Sequence, residues 1–164
     1  MEIEPGTFIA ANFGYIVTTV MDEKSTGEDG FNFIIADGGM DVNVRPLLYG
    51  ARHPFYVIAK DGALKSSEFA ENAKNYEAAV VGTCCESGDC QCLTPDGVSY
   101  PRRIAEPEPG DTLVIGGAGA YCSSMAPMNY NSHVQAPEIL YTAGGELRLI
   151  RRRQTLEQML ENEI

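Results

Sequence analysis

Residues 8–36 read FIAANFGYIVTTVMDEKSTGEDGFNFIIA: two runs rich in β-branched and aromatic residues, Phe8 to Val20 and Phe31 to Ala36, flank the polar, glycine-containing stretch Asp22 to Gly30. Such side chains suit a pleated, half-buried surface, and a polar stretch with Gly suits a reversal, so the pattern predicts strand, turn, strand. The theme continues through Leu47 to Ala59, Ala78 to Val81, Thr112 to Ile115, Ile139 to Thr142 and Glu146 to Arg152, punctuated by Asp61-Gly62, Pro95-Asp96-Gly97 and Gly144-Gly145. Short strands at this spacing predict a mainly β fold, a β-sandwich or Greek-key barrel-like domain with one or two short helices. One helix is expected over Ser66 to Ala79, where Phe69, Ala73 and Tyr76 follow the possible N-caps Ser66 and Ser67, although the same stretch could be a surface excursion. The other starts at a T-x-x-Q capping box, Thr155 to Gln158, with Leu156, Met159 and Leu160 on one face.

The chain has 164 residues, 44% hydrophobic and 21% charged, a profile that predicts one globular domain over residues 1–164. A domain of this size buries roughly 70% of the surface its unfolded chain exposes, so it needs no disulfide or metal to hold a core. Twelve basic residues against 23 acidic ones give a net charge of −11, which repels a phosphate backbone and argues against nucleic acid as a partner. The apolar runs fall well short of a membrane span, and Met1 to Gly6 lacks the basic flank and apolar stretch of a secretory signal; a soluble, cytoplasmic protein is expected.

Four of the five cysteines, Cys84, Cys85, Cys90 and Cys92, fall within nine residues. Their C-C-x₄-C-x-C spacing lacks the two separated pairs of a structural zinc site, and a reduced compartment argues against a disulfide framework, so no metal is expected and one reactive thiol with bystanders is a third reading. In Cys85-Glu86-Ser87-Gly88-Asp89 a positioned thiol could donate a proton beside carboxylates that recognise a cation. The plainer alternative is a tight loop whose polar side chains satisfy turn amides around a buried Cys85. Arg45, in Arg45-Pro46-Leu47-Leu48-Tyr49, offers a planar fork suited to a carboxylate, or else a surface ion pair. Gly116-Gly117-Ala118-Gly119-Ala120-Tyr121 could let a ligand approach the backbone, but no helical pattern follows it as in a dinucleotide loop.

Taken in order, Glu4-Pro5-Gly6, Asp37-Gly38-Gly39-Met40, Arg45-Pro46-Leu47-Leu48-Tyr49, Cys85-Glu86-Ser87-Gly88-Asp89, Gly119-Ala120-Tyr121 and Asn129-Tyr130-Asn131-Ser132 resemble the C-terminal domain of the diaminopimelate decarboxylase family. These belong to the alanine racemase-like class of pyridoxal phosphate enzymes. The resemblance runs to Arg151-Arg152-Arg153-Gln154-Thr155-Leu156. It implies the β-rich second domain of a two-domain subunit whose N-terminal (β/α)₈ barrel carries the cofactor lysine, so that this chain alone is expected to be inactive. It also implies a homodimer in which the Cys-Glu pair reaches the neighbouring subunit's active site. By that resemblance Cys85 returns a proton to the substrate after CO₂ leaves, Glu86 contacts the distal ammonium group, and Arg45 and Tyr49 bind substrate, the Arg at the distal carboxylate. Tyr121 matches a position near cofactor and substrate, and Glu4 one near the cofactor phosphate.

Thr7 departs from the family's Glu-Pro-Gly-Arg, in which the Arg helps bind the distal carboxylate; Arg52 and His53 are candidates, by charge alone, to replace it. The segment Asp61 to Glu77 and the additional Cys84, Cys90 and Cys92 depart as well. The implied reaction is pyridoxal phosphate-dependent decarboxylation of meso-diaminopimelate to L-lysine. Two rivals stand: a related decarboxylase of ornithine, lysine or a carboxylated polyamine, and a stand-alone β-sandwich binding module without catalysis. A family domain should expose the apolar surface that meets the barrel.

Overall fold

The computed structural model describes residues 1–67 and 76–164. It divides into two compact units, Met1–Ala126 and Pro127–Ile164.

In the first unit, helix α1 (Gly6–Ala10) and a 3₁₀ turn (Ala11–Phe13) lead into strands β1 (Ile16–Ser25) and β2 (Asn32–Ala36). Helix α2 (Arg45–Tyr49) precedes β3 (Phe55–Ile58), β4 (Leu64–Ser67), β5 (Tyr76–Val81), β6 (Arg102–Ile104), β7 (Thr112–Ile115) and helix α3 (Cys122–Met125). The strands form one sheet in the order β4-β3-β7-β1-β2-β5-β6, antiparallel except for the parallel pair β2 and β5.

β1 serves two partners: Ile16–Thr19 pair with β7, and Val20–Ser25 pair with β2 after a register shift between Val20 and Asp22. A bulge bends a strand and increases its twist, which is how one strand can turn a corner in a curled sheet. The curl brings β6 against β3, where Arg102 stacks over Phe55 at 4.2 Å and its Nη2 donates to the His53 carbonyl at 2.6 Å. Alternate residues of β1, β3 and β7 point inward: Thr18, Val20, Phe55, Val57, Leu113 and Ile115 are buried with Ile34 of β2 and Ile104 of β6. In β5 the alternation gives way to three consecutive buried residues, Ala78 to Val80, because small side chains fit on both faces of a strand covered on both sides.

In the second unit, β8 (Glu138–Tyr141) and β9 (Leu147–Arg151) form a hairpin closed at Gly145, whose φ of +81° is a conformation that favours glycine. Helix α4 (Leu156–Met159) begins at a reciprocal capping box, with Thr155 Oγ1 accepting from Gln158 N–H and Gln158 Oε1 accepting from Thr155 N–H.

The expected mainly β fold is present, with three local corrections. Phe8 to Phe13 is helical, and the strand begins only at Ile16. Leu47 to Tyr49 is the end of α2: Pro46 occupies its first turn and Gly50, at φ +60°, closes it in the left-handed conformation, an asymmetry that stops an apolar run from becoming a strand. The helix expected over Ser66 to Ala79 has strands at both described ends, β4 and β5, and its interior, residues 68–75, lies outside the described residues. β6 has no counterpart among the expected strands; only three residues long, it begins with the buried Arg102, a charge that breaks the apolar pattern.

Buried polar contacts hold the loops above this sheet. Asp89, 3% exposed, accepts the Met40 N–H on Oδ1 at 2.6 Å and the Cys84 N–H on Oδ2 at 2.7 Å. Gly39 and Gly82 crowd the same carboxylate, and a Cβ on either would collide with it and come within 2.7 Å of the other glycine's Cα. Next to it, Asn43 Nδ2 donates to Gln91 Oε1 at 3.0 Å and Gln91 Nε2 donates to the Asn43 carbonyl at 3.1 Å, both residues being buried. Gly88 lies against Leu47 of α2 so closely that a Cβ would reach its side chain at 2.7 Å.

His53, also buried, holds Nδ1 at 3.0 Å from the Gly116 carbonyl. Burial holds its pKa below the ordinary imidazole value; the Gly116 bond opposes that, and the positive charges of Arg45 and Arg102 reinforce it. The folded imidazole is therefore neutral, and Nδ1–H donates to Gly116.

Two expectations follow. Asp89→Ala strands the buried Met40 N–H and the part-buried Cys84 N–H and is expected to cost about 1–4 kcal/mol of unfolding free energy, since an unsatisfied buried donor costs about 1–3 kcal/mol and a part-buried one less; chemical denaturation measures it, and a loss below the error of the method contradicts the assignment. With its folded pKa depressed, His53 makes the unfolded chain take up a proton first, so stability should fall as pH drops through 6.5, the ordinary value, toward the folded pKa. His53→Gln should flatten that part of a stability–pH curve, and an unchanged slope would show that other groups set it.

Candidate functional site

Two neighbouring loops carry most of the residues singled out by sequence. The first ends in α2, whose Arg45 is half-buried with its guanidinium carbon 5.6 Å from the ring centroids of both Tyr49 and Tyr121. Both distances fall within cation–π range. Two rings sharing one guanidinium limit its rotation and shield it from water, leaving a pre-organised fork for a planar anion. Arg45, Tyr49 and Tyr121 are thus brought together by the fold, although Tyr49 and Tyr121 are 72 positions apart in the chain.

Tyr121 caps α3 with φ +64° and ψ −6°. A bulky residue at positive φ costs on the order of 1–3 kcal/mol and persists only where the surroundings enforce it, which is common at functional sites. Here the glycines before it explain the path. Ala118 N–H donates to the Gly14 carbonyl at 2.9 Å and Gly119 N–H to the Ala11 carbonyl at 2.9 Å. A Cβ on Gly119 would run into the Ala10 carbonyl, and one on Gly14 into the Gly119 backbone. The glycine-rich turn therefore accommodates close approach by the chain's own N-terminal segment, where the sequence suggested approach by a ligand. Further along, in the second unit, Asn129, Asn131 and Ser132 all take positive φ, and Asn129 Nδ2 donates to Gln154 Oε1 at 2.6 Å.

The second loop, residues 82–89, leaves β5 and returns at Cys90, which bridges to Val81. Its turn is closed by Glu86 N–H to Cys84 carbonyl at 2.8 Å, Asp89 N–H to Glu86 carbonyl at 3.0 Å and Gly82 N–H to Asp89 carbonyl at 3.2 Å. Glu86 Oε1 accepts from Gly88 N–H at 2.9 Å and Ser87 Oγ at 3.2 Å. The polar side chains do satisfy turn amides, as the plainer reading had it, but Cys85 is exposed and is no buried hydrophobe. The loop holds its thiol outward while Asp89 fastens the preceding amide from below.

The other thiols are less accessible, Cys84 half-buried and Cys90, Cys92 and Cys122 buried. Burial and the charges of Asp89 and Asp41 push Cys84 up to about 12, so it stays a thiol in neutral solution. Cys90 and Cys92 share a thiol–thiol hydrogen bond that lowers the first and raises the second, and burial raises Cys122. Cys85 is the one exposed member of the five, and all are free.

Glu4 is exposed on the segment before α1. Of the two candidates to replace the charge absent at Thr7, His53 is buried and neutral and supplies none. Arg52 lines a separate cavity with Tyr100 to Arg103. Sequence reasoning missed Arg102, Asn43 and Gln91, which are buried polar side chains embedded in apolar or loop context. The only signal for them was a polar residue at an inward position.

Residues 7–119 match the model of the pyridoxal-dependent decarboxylase C-terminal sheet domain. Over 164 residues the chain is 39% identical to the diaminopimelate decarboxylase of Escherichia coli K12, covering all of this chain and 37% of that protein. A crystal structure of diaminopimelate decarboxylase superposes with a TM-score of 0.85 at 38% identity, over 96% of this chain and 35% of the other. The Helicobacter pylori diaminopimelate decarboxylase complexed with L-lysine gives a TM-score of 0.75 at 33% identity, over 96% of this chain and 33% of the other. The chain thus spans little more than a third of the length of these relatives. Over that span it belongs to the pyridoxal-dependent decarboxylases, as their C-terminal sheet domain.

Proposed function

We propose that the chain serves a pyridoxal phosphate-dependent decarboxylase of meso-diaminopimelate, forming L-lysine and CO₂, and supplies its proton donor and part of its substrate site. The observation that carries this reading is Arg45, held at 5.6 Å from each of Tyr49 and Tyr121, because a substrate with a second carboxylate gives that fork a partner. Ornithine and lysine have no distal carboxylate, so the corresponding decarboxylases would leave it unused. The relatives named for diaminopimelate support the same choice.

Pyridoxal phosphate, when bound, acts as the electron sink for the bond to the departing carboxylate. Tyr121 fits a place beside it: its phenol is exposed, next to a cation, and can donate a hydrogen bond. Glu4 fits less well by its side chain, since a carboxylate repels a phosphate. Most of the cofactor's contacts then fall to a barrel domain, the expected N-terminal partner within the subunit. Arg45 binds the distal carboxylate through paired charge-assisted hydrogen bonds, with Tyr49 and Tyr121 shielding the pair from water. Glu86 binds the distal ammonium group. Fixing the far end of the substrate orients the near carboxylate for expulsion, so binding energy at one end acts on the reaction at the other. Cys85, at the outward apex of its loop, delivers the Sγ proton to the α-carbon and is then reprotonated from solvent.

An exposed apex that donates protons needs a complementary site, and a homodimer in which each Cys85-Glu86 loop enters the neighbouring subunit provides one. The apolar side chains displayed at Phe8, 88% exposed, Phe13, 83%, and Val17, 69%, support burial against a further domain or subunit. They count against a free-standing binding module, which has no need of them.

In the intact enzyme, Cys85→Ala should lower kcat by about 10²–10⁴-fold, the usual range for a lost general acid, and change KM far less. Arg45→Met should reduce kcat/KM for diaminopimelate by about 10–100-fold, the loss of one charge-assisted contact. Steady-state decarboxylation assays measure both. Unchanged turnover removes Cys85 from the mechanism, and an unaffected Arg45→Met enzyme favours a substrate without a distal carboxylate.

A further inference from the structure

Of the five free cysteines, the proposed reaction uses only Cys85. Cys90 and Cys92 stand at the root of the same loop, Cys90 directly following Asp89 and bridging to Val81. The chain bends at Gln91 and Cys92, and the Cys92 N–H donates to Cys90 Sγ at 3.4 Å. Cys92 Sγ accepts the Val80 N–H at 3.4 Å, and its own thiol is hydrogen-bonded to Cys90, so the two sulfurs are in contact. Two steps of chain span at most about 7 Å when extended and less at a bend, a Cα separation that a disulfide can bridge.

The two thiols are not equivalent. Three groups converge on Cys90 Sγ: the Cys92 thiol, the Cys92 N–H and the Ser99 hydroxyl, whose Oγ lies 3.7 Å away. A thiolate can accept from all three at once. These contacts, the Cys92 thiol foremost, lower the Cys90 pKa against the opposing effects of burial and the Asp89 charge. The same thiol–thiol bond, together with burial, raises Cys92. Cys90 is thus built as the nucleophile, with a protonated thiol beside it. Cys90 keeps 6% of its surface exposed and Cys92 none, so a reagent from solvent meets Cys90 first.

We propose that Cys90 and Cys92 form a reversible dithiol–disulfide couple, oxidised by a small peroxide and separate from the chemistry of Cys85. The Cys90 thiolate attacks one oxygen of hydrogen peroxide, the O–O bond breaks, and the departing hydroxide takes up a proton to leave as water. Cys90 is then a sulfenic acid. Cys92 Sγ attacks Cys90 Sγ, the S–O bond breaks, and the hydroxyl leaves with the Cys92 proton as a second water. Two electrons pass from the sulfurs to the peroxide, and an external thiol reductant returns them. The couple does not depend on which substrate the enzyme decarboxylates.

The test uses the intact enzyme carrying Cys85→Ser, so that the exposed thiol does not consume the oxidant. The folded protein is exposed to hydrogen peroxide, quenched with catalase, then unfolded and alkylated with iodoacetamide. Cleavage before aspartate releases residues 89–95, which hold Cys90 and Cys92 and no other cysteine. Mass spectrometry should find this peptide two hydrogens lighter and unalkylated. That change should appear at least tenfold faster than Cys122, a buried thiol without a thiol partner, loses its alkylation. Dithiothreitol added before alkylation should restore both labels. Full alkylation of Cys90 and Cys92 after exposure, or loss no faster than at Cys122, overturns the proposal. So does Cys90 advancing to sulfinic acid beside an alkylated Cys92, or a disulfide from either residue to Cys84.

Discussion

A single buried carboxylate governs how this domain presents its chemistry. Asp89 takes the backbone N–H of Met40 on one oxygen and that of Cys84 on the other, joining the loop that leads to α2 with the loop that carries Cys85 and Glu86. Gly39 and Gly82 are the residues that let two backbones close on it, because any side chain there would occupy its space. A carboxylate inside a protein is expensive to desolvate, and donors fixed on both sides offset that cost. The Asn43–Gln91 amide pair adds a second tie between the same two stretches of chain. With both in place, an exposed thiol stands on a loop that is fastened from beneath.

The charge distribution follows a related logic. The protein is acidic, and two of its arginines, one half-buried and one buried, are set against aromatic rings. Arg45 is shared by Tyr49 and Tyr121 near the surface, where a ligand can reach it. Arg102 lies over Phe55 in the interior and joins β6 to the segment before β3, closing the curled sheet. One arginine is placed for recognition and the other for architecture, and aromatic faces lower the cost of desolvation for both. Neutral His53 sits between these roles: its carbonyl receives Arg102, and its ring joins the Gly116 backbone ahead of the turn to Tyr121.

Much of this was legible in the sequence where local signals were strong. Thr112 to Ile115, the hairpin at Gly144-Gly145 and the Thr155–Gln158 capping box stand where residue type and spacing put them. The Cys85 and Arg45 motifs were visible as candidates because charged and nucleophilic residues beside glycine and proline interrupt the apolar pattern. What escaped was set by tertiary context. Phe8 to Phe13 has strand-like composition, yet its backbone packs as a helical turn on Gly14 and Gly119, a contact between distant segments. Leu47 to Tyr49 looked like the start of a strand until Pro46 and Gly50 are weighed as helix punctuation. The buried pairing of Asn43 with Gln91 spans 48 residues, and no local window reports it.

The most direct measurement is amide hydrogen exchange at Met40 and Cys84, compared with Val114 in the centre of β7, in the wild type and in Asp89→Asn. If Asp89 fastens both loops, Met40 and Cys84 are protected in the wild type, and in the variant at least one of them exchanges more than tenfold faster while Val114 is unchanged. Protection at Met40 and Cys84 that survives the substitution would show that the loops are held by something other than this carboxylate, and the account built on it would fail.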